Sequence, residues 1–233
     1  MKEPRFEYID RHKKRLAVLI SGWAMDGRIF DKLDINYNYL VPMEVTAENF
    51  FEKLEETLLA LNQKTILIGW SFGGLLAAHF TVTFPEMVEK AIFVSVKENY
   101  SQSEIDKMKE YLERNKTMYL KGFYRKCFSG QTDDERKWFT SKILDKYLKE
   151  MDTEMLNSQL DFLKFNYLPI ISLKTHSKKL IFVHGDKDAV IPIIEVDKIR
   201  KYLPGAYYVT IKDTGHVPFL NPEFKNILEK YHE

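Results

Sequence analysis

One cysteine stands in 233 residues, so Cys127 has no partner within the chain and no intrachain disulfide can form. That usage fits a reducing compartment. No apolar run approaches the ~18–20 residues of a membrane span, and residues 1–15 are polar and basic, without the apolar core of a secretion signal. The six histidines show neither His-x-x-x-His nor His-Glu-x-x-His spacing, so no metal site and no cofactor is expected. Thirty-five basic residues face thirty-four acidic ones, a net charge of +1. That balance, with no recognisable nucleic-acid motif, argues against a nucleic-acid partner. Repeats, low-complexity tracts and linkers are also missing. These absences point to a cytoplasmic monomer without a membrane partner.

Hydrophobic residues make up 45% of the chain, enough for one full α/β core. Continuous apolar runs of strand length recur at 16–20, 65–68, 91–95 and 179–183, as expected for strands buried on both faces. Shorter strand signals lie at 6–9, 39–41 and 206–211. Helical periodicity fills 47–61 and 75–84 and returns at 192–202 and 222–232. Alternating strands and helices predict a mostly parallel sheet with right-handed crossovers. The rhythm breaks from 101 to 166, where charged amphipathic stretches at 104–115, 118–128, 133–147 and 153–165 predict three or four helices. Their place suggests a helical cap (101–166) over the C-terminal edge of a core built from 1–100 and 167–233. A plain supporting insertion is the other reading.

The stretch Leu67-Ile68-Gly69-Trp70-Ser71-Phe72-Gly73-Gly74 organises the chain. An apolar strand enters Gly-x-Ser-x-Gly and a helix leaves it, the pattern that exposes a serine hydroxyl on a sharp, strained turn. Ser71 is the candidate nucleophile. The Phe72 N–H, at a helix start, can face a developing oxyanion. A second donor is expected from the loop Ser21-Gly22-Trp23, at the Trp23 N–H. His216, in Thr-Gly-His-Val-Pro after the last strand, is the candidate base. Asp186 and Asp188 both follow a strand in a position to orient it, and the place of Asp188 before Val-Ile-Pro favours Asp188. His184 at a strand end and His79 within a helix read as structural, and no base is placed for Cys127.

With Ser, Asp and His in that order, the chain resembles the α/β-hydrolase superfamily over almost its whole length. Within it, the chain is most similar to the pimeloyl-[acyl-carrier protein] methyl ester esterase family. Gly-Trp-Ser-Phe-Gly-Gly-Leu (69–75), Gly22-Trp23, Phe123 with Gly130, Gly185-x-x-Asp188-x-Val190-x-Pro192 and Gly215-His216-x-Pro218-Phe219 carry that likeness. Where that family has His-Gly-Trp, this chain has Ser21-Gly22-Trp23. The resemblance implies the α/β-hydrolase fold and a serine carboxylesterase working through an acyl-enzyme. It implies a pimeloyl methyl ester on an acyl carrier protein as substrate, in biotin synthesis. It also implies that Trp23, Phe72, Phe123, Tyr124, Arg125, Lys126, Cys127 and His216 meet that substrate. Lys116, Lys121, Arg125 and Lys126 would form a basic docking face for the acidic carrier, or are solvated helix charges. A general acyl esterase or thioesterase, and a ligand-sensing protein of the same fold, are the alternatives.

Overall fold

The computed structural model describes residues 3–231. Seven strands form one sheet in the order β1-β3-β2-β4-β5-β6-β7. They are β1 (Arg5–Ile9), β2 (Leu16–Ile20), β3 (Asn38–Met43), β4 (Thr65–Trp70), β5 (Val88–Val94), β6 (Leu180–Gly185) and β7 (Tyr207–Ile211). The edge strand β1 runs antiparallel to β3, and every other pairing is parallel. All residues of β2, β4 and β6 are buried. That is why these strands read as unbroken apolar runs rather than alternating ones. The edge strand β1 buries only Phe6, and its other residues, the charged Arg5 and Glu7 among them, are exposed.

Helices α1 (Phe50–Leu61) and α2 (Phe72–Thr83) follow β3 and β4. On α1 the apolar period resolves into a buried row of Phe50, Leu54 and Leu58, and Leu59 is left 61% exposed. The expected helix at 75–84 starts three residues earlier, because the chain turns into it directly at Ser71. Between β5 and β6 lie α3 (Gln102–Cys127), α4 (Asp133–Lys142), α5 (Leu144–Glu150) and α6 (Thr153–Phe165). Ser101 and Glu104 close a capping box at the start of α3, and Thr132 with Glu135 does the same for α4. Asn115 is non-helical inside α3, and its side chain accepts from the Met118 N–H at 2.9 Å. The two helices expected at 104–115 and 118–128 are thus one rod with a kink, recapped at the bend. The single helix expected at 133–147 is instead two, parted at Ile143. Helices α7 (Ile170–Leu173), α8 (Ile194–Tyr202) and α9 (Glu223–Lys230) complete the chain. The expected end of the closing helix at His232 lies outside the described residues. No helix among the described residues is long and apolar enough to cross a membrane.

In a parallel sheet every C-terminal strand end lies at one edge. Here Ile20, Trp70, Val94, Gly185 and Ile211 end the five parallel strands on the β2 to β7 side. The loops that leave them carry Trp23, Ser71, Tyr100, Asp188 and His216.

Candidate active site

Ser71 joins β4 to α2 with φ 53° and ψ −113°, a left-handed conformation that costs a non-glycine residue ~1–3 kcal/mol. Its neighbours make that turn possible. A Cβ on Gly69 would sit 2.5 Å from the Gly73 carbonyl oxygen and 2.8 Å from the Ala77 Cβ. One on Gly73 would fall on the carbonyl oxygens of Ile20 and Ser21. Gly69 therefore lets α2 cross its own strand, while Gly73 lets α2 approach the end of the neighbouring strand β2. The Ser71 N–H donates to the Val94 carbonyl at 2.9 Å, so the elbow is also tied to β5.

The Phe72 N–H is the first of α2 and has no intrahelical acceptor. Met25 N–H donates to the Gly22 carbonyl at 3.2 Å, and Ala24 has φ 59°. Trp23 is thus held in a tight turn, with its N–H donating to no other group among the described residues. The sequence expectation gave these two N–H groups one task, and both are available as donors. The Trp23 indole is anchored separately, since its Nε1 donates to the Leu156 carbonyl at 3.1 Å.

His216 Nδ1 and Asp188 Oδ2 are 2.7 Å apart, and both residues are buried. The other Asp188 oxygen accepts from the N–H groups of Val190 at 2.8 Å and Ile191 at 2.9 Å. Burial by itself would raise this carboxyl. The charge and hydrogen bond of His216, then His184 and the Ile191 N–H, outweigh it and hold Asp188 below the usual carboxylate range. Asp188 is therefore ionised near neutral pH. Asp186 is exposed and accepts from the Thr214 N–H at 3.3 Å, so of the two competing acids only Asp188 meets the histidine. His184 Nε2 contacts the Ile191 carbonyl at 2.8 Å and lies 3.5 Å from Asp188 Oδ2, behind the pair, and His79 Nε2 contacts the Tyr167 carbonyl at 3.0 Å.

The loop of His216 is clamped at three consecutive residues. Trp70, directly before Ser71, donates through Nε1 to the His216 carbonyl at 2.7 Å, with ring centroids 5.3 Å apart. Gln131, between α3 and α4, accepts from the Gly215 N–H at 2.8 Å and donates to the Val217 carbonyl at 3.2 Å. Gln131 is buried, and its amide satisfies both flanks of the histidine. Neither role is visible in the sequence. Trp70 reads as part of the Ser71 motif, and Gln131 lies 85 residues from His216.

A cavity of about 490 Å3 opens beside Ser71. That is within the range of ~300–1,000 Å3 usual for small-molecule sites. Trp23, Phe123 and Lys126 of the expected substrate contacts line it. The five consecutive residues 123–127 do not act together, because one face of a helix cannot show them all. Phe123 stacks edge-on to Trp23 at 4.9 Å on the cavity side. Tyr124 turns inward and donates to the Ala24 carbonyl at 2.7 Å. Arg125 is exposed, and Cys127 is fully buried with its thiol pushed up by burial. Of the remaining expected contacts, the Phe72 ring packs on Phe162 at 5.7 Å and His216 packs under Trp70. The wall also includes Tyr100, Lys107, Met118 and Tyr119, which sequence reasoning did not select. The one available signal was position, since Tyr100 follows β5, the strand beside the Ser71 strand.

A strained serine at a strand–helix elbow, a buried Asp–His pair, and the Trp23 and Phe72 N–H groups thus lie at one sheet edge. The chain belongs to the alpha/beta hydrolase family, whose profile matches residues 41–224 and so spans Ser71, Asp188 and His216. Among similar proteins is the pimeloyl-[acyl-carrier protein] methyl ester esterase of Wigglesworthia glossinidia brevipalpis, 26% identical, with 89% of this chain and 88% of the relative aligned. The protein of that name from Nitrosomonas europaea is 25% identical, over 88% of this chain and 89% of its own. An esterase from Exiguobacterium antarcticum has a similar structure, with a TM-score of 0.78 at 17% identity over 98% of this chain and 94% of the other. A thermophilic esterase from Thermogutta terrifontis has a TM-score of 0.75 at 18% identity, over 99% and 94%. At such identities the structural likeness speaks for the fold.

Proposed function

We propose that this protein is a serine carboxylesterase that hydrolyses the methyl ester of a pimeloyl chain carried on acyl carrier protein. The observation that carries the reading is the 2.7 Å contact between Asp188 Oδ2 and His216 Nδ1, at the sheet edge that also presents Ser71. Asp188 fixes the imidazole with its proton on Nδ1, which leaves Nε2 to accept the proton of Ser71. Ser71 Oγ attacks the ester carbonyl, and the oxyanion lies against the Trp23 and Phe72 N–H groups, one such donor being worth ~3 kcal/mol. His216 then protonates the departing methoxide, and methanol leaves. Water, deprotonated by His216, attacks the acyl-enzyme and returns Ser71 with the free acid.

The substrate class rests on the names of the relatives and on the cavity. Residues 101–166 act as a cap, since Phe123, Tyr119 and Met118 give an apolar wall for an acyl chain. Lys107 and Lys126 on the same wall have no ion-pair partner among the described residues, and would face the anionic linker of a carrier-bound chain. Lys97, by contrast, is neutralised by Glu104 at 2.6 Å. The test compares hydrolysis of the carrier-bound pimeloyl methyl ester with that of free methyl and p-nitrophenyl esters of two to twelve carbons. A kcat/KM at least ~100-fold higher on the carrier-bound ester is expected, the advantage that ~3 kcal/mol of added binding would give. Equal rates on free esters would instead assign a general acyl esterase. Hydrolysis that survives Ser71→Ala would remove the nucleophile from the scheme altogether.

A further inference from the structure

One imidazole at this sheet edge has no part in the scheme so far. His184 is the penultimate residue of β6, paired with Thr210 of β7, and it is buried. Its ring reaches the turn that carries the acid. Nε2 lies 2.8 Å from the Ile191 carbonyl and 3.5 Å from Asp188 Oδ2, the oxygen that His216 Nδ1 contacts at 2.7 Å. The Ile191 carbonyl can only accept, so this bond places the proton of His184 on Nε2. Nδ1 is then bare, and it is buried with no hydrogen-bond partner. An apolar side chain would fill the same space without leaving a nitrogen unmet, so packing alone does not account for an imidazole here.

The Nε2–H of His184 acts on a turn that wraps the carboxylate. Asp188 Oδ1 accepts from the Val190 N–H at 2.8 Å and the Ile191 N–H at 2.9 Å. Ile191 is therefore gripped twice, by Asp188 at its N–H and by His184 at its carbonyl. At the other end of the turn the Asp188 N–H donates to the Gly185 carbonyl at 3.3 Å. Both ends are thus fastened to the last two residues of β6, His184 and Gly185. The strand sets where the turn lies, and the turn sets where the carboxylate lies.

We propose that His184 is a positioning residue for the reaction, whose Nε2–H holds Ile191, and through it the Asp188 carboxylate, where Oδ2 meets His216. This rests on the reading of Asp188 and His216 as acid and base. His184 is not part of the cavity wall, so it reaches the reaction only through the Asp188 turn. It gives up no proton in either half of the cycle. The same N–H sets partial positive charge 3.5 Å from Oδ2, which favours the ionised carboxylate. Without that donor the Ile191 end of the turn loses its tie to β6, and the carboxylate drifts from the 2.7 Å contact that orients the base. Small displacements of such a group are costly in rate, because the geometry of proton transfer is narrow.

Amide variants separate a positioning donor from packing. Glutamine can set its NH2 group where the imidazole Nε2 stands, whereas asparagine, one carbon shorter, reaches only the place of Nδ1. In steady-state hydrolysis of p-nitrophenyl butyrate, His184→Gln should keep at least about half of the wild-type kcat. His184→Asn and His184→Leu should lose about tenfold in kcat, with KM within about twofold. The second readout is the Asp188→Asn background. There the carboxylate is gone and nothing remains to be positioned, so His184→Leu should change kcat by less than about twofold. A merely structural role would cost the same factor in both backgrounds. That result, or a His184→Gln protein no faster than His184→Asn, would overturn the proposal. If His184→Leu does not fold, His184→Asn takes its place in both backgrounds. Failure of the underlying reading looks different, because Asp188→Asn alone would then leave kcat near the wild-type value.

Discussion

Replacing Asp188 by Asn changes one atom and tests the proton arrangement of the site. The Asp188 carboxylate serves two sides at once. Oδ2 takes His216 Nδ1 at 2.7 Å, and Oδ1 takes the N–H groups of Val190 and Ile191 at 2.8 and 2.9 Å. An amide has only one acceptor oxygen. If that oxygen faces His216, the NH2 group confronts two N–H donors, and two buried donors go unpaired at ~1–3 kcal/mol each. The amide therefore settles with its oxygen on Val190 and Ile191 and its NH2 toward His216. The ring must then accept at Nδ1 and carry its proton on Nε2, where it cannot take one from Ser71. The expected loss in kcat is ~10^3–10^4-fold, the size seen when a triad carboxylate becomes an amide elsewhere, or ~4–5.5 kcal/mol of barrier. The assay is steady-state hydrolysis of p-nitrophenyl butyrate at pH 8, with a thermal melt to show that the fold persists. Asp186→Asn is the matched control and should stay within about threefold, because Asp186 is exposed and does not reach the ring. Asp188→Asn keeping more than a tenth of the wild-type rate would refute the tautomer argument.

Trp70→Phe removes the donor to the His216 carbonyl, 2.7 Å away, and leaves that acceptor short of a partner. The cost is ~1–3 kcal/mol, a melting temperature lower by ~2–10 °C for a domain of this size, together with a kcat lower by about tenfold as the loop drifts. Unchanged values by scanning fluorimetry and kinetics would detach Trp70 from the histidine. His184 gives a pH prediction. Burial is the main influence that lowers its pKa, with His216 acting the same way, and Asp188, the Ile191 carbonyl and Asp197 pulling upward. Its Nδ1 is buried with no hydrogen-bond partner, so a second ring proton has nowhere to bind. The unfolded chain protonates this ring near pH ~6.5 while the folded chain resists. Stability is therefore full above ~6.5 and falls as pH drops below it, with a slope of up to ~1.4 kcal/mol per pH unit until the folded ring titrates. Melts at pH 7.5 and 5.5 should differ more for wild type than for His184→Gln, and equal differences would exclude His184 as the source.

The legible parts of this chain are those set by local pattern. Strands β2, β4, β5 and β6 announced themselves because both of their faces are buried, and the Gly-x-Ser-x-Gly turn because only glycine fits against Ala77 and the end of β2. The break in helical pattern between 115 and 118 was real, yet apolar periodicity could not show that the rod continues through a kink at Asn115. Residues 123–127 are adjacent in sequence but not in surroundings, since helical geometry turns Phe123 toward Trp23 and leaves Arg125 exposed. What stayed hidden depends on tertiary approach. Gln131 clamps the His216 loop from between α3 and α4, and Tyr100 shares the cavity wall with Ser71 because β5 lies beside β4. Polar residues such as these carry no periodic signature, and their partners are defined by the fold rather than by spacing.

The central claim is that Ser71 forms a covalent acyl-enzyme with His216 as its base. The direct measurement is intact-protein and peptide mass spectrometry after treatment with a fluorophosphonate, which traps an activated serine at the first covalent step. One adduct per chain on the peptide containing Ser71 is expected, absent in Ser71→Ala and formed at least ~100-fold more slowly in His216→Ala. No adduct on the folded wild-type protein, or an adduct on another residue with Ser71 untouched, would contradict the account.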